Sequence, residues 1–283
     1  MMRNSQDRLG APEAPQASPE PAPAMAQQGA DFSFVAANDI VELPSNGEFY
    51  PEGHALRESP TVEVRQMTAK EEDILLNQSY LKQGVVVEKL LHSLVITKDF
   101  NLDDLLIGDK NAILTQVRRS AYGDEYPVEA VCRSCMTKTE NTFDLEECVR
   151  NKPLTLVEGV ERTEKNTFTF IAPKTKAKVE IRFLTGADEK ALADKEKKYK
   201  KHNVDFSASL ETYKMIIVSV NDDPSLVGSY VDNMPLRDAK KLKEVMKEIQ
   251  PGIEMKGQFV CPSCETEVEM DLPINFRFLW PDL

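Results

Sequence analysis

Two Cys-x-x-Cys pairs, Cys132/Cys135 and Cys261/Cys264, stand about 126 residues apart, each between two stretches that read as β-strands. The first segment is VEAVCRSCMTKTENTFDL and the second is GQFVCPSCETEVEMDL. A tight turn that carries two thiolates aims both at one point, and a second such turn closes the tetrahedral shell that Zn²⁺ prefers. The pattern therefore predicts Cys132, Cys135, Cys261 and Cys264 as ligands of a structural zinc ion held by a ribbon-like pair of knuckles. Iron in a rubredoxin-like site and two reduced, metal-free thiol pairs are the competing readings of the same residues. Such knuckles commonly place Gly after the second cysteine, where Met136 and Glu265 stand here, and only Pro262 matches the frequent Cys-Pro-x-Cys form. A redox Cys-x-x-Cys is not expected, because those motifs open helices whose dipole lowers the thiol pKa, whereas these lie between strands.

Each pair also ends a longer pattern that occurs twice. Val62–Thr68 (VEVRQMT) runs into AKEEDILL, and Val179–Thr185 (VEIRFLT) runs into GADEKAL. Thr68 and Thr185 have the character of helix N-caps, with Glu71 and Asp188 three residues on, where a carboxylate can reach back to a free amide. The apolar set Val86, Leu90, Leu91, Leu94, Val95 has a counterpart in Leu210, Tyr213, Ile216, Ile217, Val220, both at helical spacing and both read as core stripes. A further helix follows in each copy: DKNAILTQVRRSAYG, then PLRDAKKLKEVMKEIQPG, with Pro235 near its start and Gly252 past its end. The fold expected is α+β, with tandem strand-helix-helix-hairpin units joined through the two knuckles. One ion shared by both pairs would pin the halves together; the alternative is that each pair completes its shell with another copy of the chain.

At 283 residues and 41% hydrophobic content, the chain can build a substantial core. No apolar run approaches the roughly 20 residues that span a bilayer. The first residues lack the apolar stretch of a secretory signal, so neither membrane insertion nor export is expected. Five cysteines, four of them in the two pairs, suit a reducing compartment and a metal better than disulfides, with Cys148 left as a small buried residue. A net charge of −12 argues against a nucleic-acid-binding ribbon, since phosphate affinity needs a cationic face.

Residues 1–33 are rich in Pro, Ala, Gln and Ser and are expected to form a disordered tail. Residues 34–153 form the first unit and 154–283 the second, with a short join near Lys152–Gly159. DIVELPSNGEFYPEG and FTFIAPKTKAKVEIRF lead into the two repeat strands. The second unit carries a basic cluster, Lys195, Lys197, Lys198, Lys200 and Lys201, that the first lacks; its plain reading is a solvated, mobile insertion, and the alternative is a local docking spur for an acidic partner. The aromatic stretch NFRFLWPDL, with Phe276, Phe278, Leu279 and Trp280, is expected to fold back over the ribbon, or else to dock a partner.

No catalytic constellation is visible. His54, His92 and His202 stand apart from one another and from any nucleophile, no phosphate-binding glycine motif occurs, and four thiolates around one ion leave no open position for water. The absence of these motifs and a closed thiolate shell lead to the expectation of a non-enzyme.

The segments LPSNGEFYPEG (Leu43–Gly53), VEVRQMTAKEEDILL (Val62–Leu76), GDKNAILTQVRRSAYGDEY (Gly108–Tyr126) and the CRSC that follows resemble the T4-type baseplate hub family of contractile-tailed phages. The resemblance covers most of residues 36–136 and, through the repeat, extends more weakly into the second half. It implies a structural or assembly subunit of a tail baseplate hub, made in the host cytoplasm, that contacts other hub proteins or the tape-measure protein. It leaves open whether the protein stays in the virion tail or acts as an assembly chaperone that departs.

Overall fold

The computed structural model describes residues 38–274 and 276–280. Strand β1 (Asn38–Glu42) pairs antiparallel with β2 (Thr61–Arg65), and the loop between them holds the short helix α1 (Ala55–Glu58). Helices α2 (Ala69–Leu76), α3 (Gln78–Gln83), α4 (Val86–Leu94) and α5 (Ile107–Tyr122) follow. They lead into an antiparallel hairpin of β3 (Glu125–Val131) and β4 (Lys138–Asp144). A single turn of helix, α6 (Leu145–Cys148), and β5 (Val149–Lys152) come next.

The second half opens with β6 (Val160–Arg162), β7 (Phe168–Ile171) and β8 (Lys178–Ile181). After α7 (Gly186–Lys201) and α8 (Ala208–Ile216), β9 (Ile217–Val220) completes an antiparallel sheet of order β6-β7-β8-β9. Helices α9 (Val227–Asp232) and α10 (Leu236–Ile249) then run into the hairpin of β10 (Gly252–Val260) and β11 (Glu267–Asp271), and α11 (Phe276–Leu279) ends the described chain. Fold class is mixed α and β, and among the described residues no helix is long and apolar enough to cross a membrane.

Helices α2 and α7 start in the same way. Thr68 N and Oγ1 donate to Glu71 Oε2 at 3.0 and 2.6 Å, and Thr185 N and Oγ1 donate to Asp188 Oδ2 at 2.9 and 3.2 Å. Each carboxylate also holds an arginine from the preceding strand or its end: Arg65 meets Glu71 at 2.7 Å and Arg182 grips Asp188 with two bonds of 2.8 and 2.7 Å. A reciprocal cap satisfies amides that a helix start leaves bare, and the arginine neutralises a carboxylate that is fully buried at Glu71 and half-buried at Asp188.

Two expectations are corrected. The stripe Leu210 to Val220 does not lie on one helix: α8 stops at Ile216, and the β-branched run from Ile217 adds a strand to the open edge of β8, with Val179 opposite Val220 and Ile181 opposite Ile217. Strand pairing satisfies the backbone there, and a β-branched run favours it over another helical turn. The Lys-rich segment is the C-terminal half of α7, a regular 16-residue helix. Its lysines find acidic partners at short range, Lys195 with Glu211 at 2.9 Å and Lys200 with Glu196 at 2.6 Å.

The two halves share backbone contacts. Gly186 N donates to Leu105 O and Ile107 N to Leu184 O, so α5 and α7 start from one junction. Gly108, in the first turn of α5, lies against the start of β10 so closely that a β-carbon would fall 2.0 Å from Pro251 O. Only glycine allows that approach. Strand β5 pairs with β10 over Gly252–Met255, giving the sheet order β11-β10-β5. At the C-terminal end, Phe278 meets Tyr126 edge-on at 5.1 Å and Trp280 donates to Leu75 O at 2.9 Å. Phe278 and Trp280 thus fold back against the base of β3 and α2.

The expected tail at residues 1–33 lies outside the described residues.

Candidate metal centre

The hairpins β3/β4 and β10/β11 carry the two knuckles at their tips. Along β3 the residues alternate exposed and buried, with Tyr126, Val128 and Ala130 inward, and along β10 Met255, Gly257 and Phe259 are buried. Behind the cysteines, Phe143 packs edge-on against Phe259 at 6.5 Å, and Gly257 leaves room for the Phe143 ring. These inward faces bring the tips together.

Each knuckle closes with the same two backbone bonds. Cys132 N donates to Thr137 O and Met136 N to Cys132 O, both at 2.9 Å; Cys261 N donates to Thr266 O at 3.0 Å and Glu265 N to Cys261 O at 2.8 Å. The turn requires a left-handed residue after the second cysteine, and Met136 (φ 60°) and Glu265 (φ 54°) adopt it without being glycine. The departure noted in the sequence thus leaves the turn geometry intact and adds strain, because a β-carbon crowds that conformation.

The sulfurs of Cys132 and Cys264 are 3.6 Å apart, as are those of Cys135 and Cys261, and all four lie within 4.8 Å of one another. A tetrahedron with Zn–S bonds of about 2.3 Å has edges of about 3.8 Å. The two contacts across the knuckles come close to that spacing, and the cluster draws two thiols from each hairpin of one chain. Cys132 and Cys261 are fully buried, Cys264 is half-buried and Cys135 is exposed. The centre therefore has one side toward solvent.

Hydroxyls stand beside the two outer thiols, with Thr137 Oγ1 3.2 Å from Cys135 Sγ and Thr266 Oγ1 3.3 Å from Cys264 Sγ. The Thr266 hydroxyl and amide draw the Cys264 thiol down to about 6, and the Thr137 hydroxyl and amide lower Cys135 likewise. The Ser263 amide lowers Cys261, yet burial and the neighbouring thiols outweigh it and leave that group at about 11. Metal capture must therefore displace a proton from the inner side of the site. Four thiolates would fill a tetrahedral shell, which is the donor set of a structural centre, and the two threonines would support it from outside.

The histidines stay apart from this site. His54 Nδ1 accepts from Leu56 N at 3.2 Å and its ring stacks on Tyr50, His92 is exposed on α4, and His202 ends α7. Cys148 is half-buried, and burial raises its pKa. Asp124, Asp144 and Glu146 also converge, but Asp124 is bound by Arg119 and Asp144 caps α6, so helix ends account for that cluster.

Sequence reading missed a buried polar hub. Asp109 is fully buried and accepts from Ser45 N (2.9 Å), Ser45 Oγ (2.6 Å) and Tyr50 Oη (2.7 Å), and burial raises its pKa. It ties α5 to the loop after β1. Its only signal was an acidic residue in the first turn of a helix, which is too common a feature to single it out.

Residues 36–276 match the family described as T4 bacteriophage base plate protein. The chain belongs to this family. No curated protein and no solved structure gives a significant match. The baseplate protein therefore carries its four-cysteine cluster inside the region that defines the family, since all four residues fall between 36 and 276.

Proposed function

We propose that this baseplate protein is a non-catalytic structural or assembly subunit of the tail baseplate hub, in which a zinc ion clasps the two halves of the chain. The observation that carries this reading is the convergence of four sulfurs from hairpins at Cys132/Cys135 and Cys261/Cys264 to 3.6 Å across the pairs. Tetrathiolate sites with all four positions filled favour structure over chemistry. A net charge of −12 speaks against nucleic acid as the ligand and for protein partners.

The reading includes an internal duplication, with units at 34–153 and 154–283. It is supported by the paired caps Thr68/Glu71 and Thr185/Asp188, each with its arginine, and by the identical bond pattern of the two knuckles. The partners are other hub proteins or the tape-measure protein, met in the host cytoplasm during assembly.

Mass spectrometry of washed virions, together with an affinity pull-down of the tagged protein from infected cells, tests the role. Fixed low-copy presence in particles with hub proteins in the pull-down makes it a resident subunit. Absence from particles with the same partners in the lysate makes it an assembly chaperone, and absence of tail proteins from the pull-down rejects the hub reading.

A further inference from the structure

The outer face of the β3/β4 hairpin is built against itself. Register places Glu125 opposite Asp144 and Glu129 opposite Glu140, two like-charge pairs directly across one exposed two-stranded sheet. Such pairs destabilise a sheet. Lys138 offsets part of the charge through Glu129 at 2.8 Å, and Arg277 lines the same surface depression as Glu129. The Lys138 pair is more than half exposed and weak, however, and four carboxylates against these two cations leave the face acidic. At the knuckle end of this face Val131 is 40% exposed, and in the turn that follows Met136 is 71% exposed. A sheet face that keeps opposed carboxylates beside bare apolar side chains suits a cationic, partly apolar partner.

The same chain carries such a surface elsewhere. The last turns of α7 present Lys198, Lys200 and Lys201, and Lys198 and Lys201 form no ion pair among the described residues. Beside them Tyr199 is 38% exposed and Val204 just beyond the helix is 54% exposed. Basic side chains flanked by apolar ones thus match acidic side chains flanked by apolar ones, at two separate places on one molecule.

We propose that the lysine end of α7 in one copy docks on the acidic outer face of β3/β4 in a second copy. Because the two patches differ, the contact is heterologous: each copy offers a donor face and an acceptor face, so copies add head to tail and form a ring or an open chain. This goes beyond the hub assignment, which specifies no self-contact, and it stands or falls independently of the virion test.

Sedimentation velocity of the full, metal-loaded chain over a concentration series tests it. Self-association that weakens as salt rises is expected, because exposed charges are screened within about 10 Å at 0.1 M ionic strength. The variants Lys198→Glu/Lys201→Glu and Glu129→Lys/Glu140→Lys should each sediment as monomers, with helix content and metal content matching the parent. Mixed together they should associate again, since the intact lysine helix of the Glu129→Lys/Glu140→Lys variant meets the intact acidic face of the other, and the two reversed surfaces also complement each other. A parent that stays monomeric at low salt overturns the proposal, as does association that survives both variants or a mixture that stays monomeric. If the parent is monomeric and the acidic-face variant instead loses another baseplate protein in a pull-down, the occupant is that protein and not a second copy.

Discussion

The sulfur atoms of Cys132 and Cys264 lie 3.6 Å apart although 132 residues of chain separate them. No disulfide joins them, and the remaining pair, Cys135 and Cys261, has the same spacing. A metal bridging them would close a long loop and tie the two hairpins together.

Metal analysis of the purified chain should find about one zinc per chain, the stoichiometry of a closed four-thiolate site. Cys261→Ser/Cys264→Ser should lose the metal and melt earlier, because structural zinc contributes on the order of 10 kcal/mol of apparent folding free energy in small peptides. Apolar packing of Phe143 on Phe259 will retain part of the contact, so the helices should survive. Full zinc retention in the double variant would sink the shared site.

Glu71 should make stability depend on pH. Burial pushes its carboxyl up, but the hydroxyls of Thr68 and Ser93, the Thr68 amide and Arg65 outweigh that and hold it below the ordinary value. A depressed carboxylate contributes stability that is present above its unfolded pKa of about 4.3 and is lost as pH falls through the folded value. Replacing Glu71 by Ala should cost about 3 kcal/mol at pH 7, because Arg65 and the Thr68 amide lose their acceptor. Urea titrations at pH 7 and below pH 4 should show that cost shrinking with acid; a constant difference would argue against a charged Glu71.

Gly108→Ala should destabilise the protein by about 2 kcal/mol or more, since the added carbon must displace the Pro251 carbonyl at the junction of α5 and β10. Gly228 in α9 has open space around its β-position, so Gly228→Ala should instead be neutral or gain about 0.5–1 kcal/mol from helix propensity. Thermal melts of the two variants, measured together, separate close packing from a general intolerance of substitution.

Strain at the knuckles should be removable. A left-handed residue with a side chain costs roughly 1–2 kcal/mol, against roughly 0.5–1 kcal/mol for the extra chain entropy of glycine. Glu265→Gly should therefore raise stability by about 0.5–1 kcal/mol with metal content unchanged. Lower stability in the glycine variant would mean that the side chain makes a contact outweighing the strain.

What was legible in the sequence is what a few consecutive residues settle among themselves. The caps at Thr68 and Thr185 depend on a carboxylate three positions on, and each knuckle on bonds that span only five or six residues, so a local pattern sufficed for both. Helical spacing misled at Ile217, where apolar periodicity continued but a vacant strand edge on β8 lay in reach. It also hid that the lysines of α7 extend a helix, because a charged face carries little apolar signal.

By itself the sequence determined the two thiol turns, the helix starts and a chain able to bury a core, since each rests on side chains close along the backbone. Tertiary structure alone decided that β5 joins β10, that Gly108 lies beneath Pro251, that Asp109 is buried under Ser45 and Tyr50, and that four cysteines meet at one point. These contacts link residues tens to more than a hundred positions apart. Their partners are chosen by which surfaces the closed chain brings face to face, and no local spacing encodes that choice.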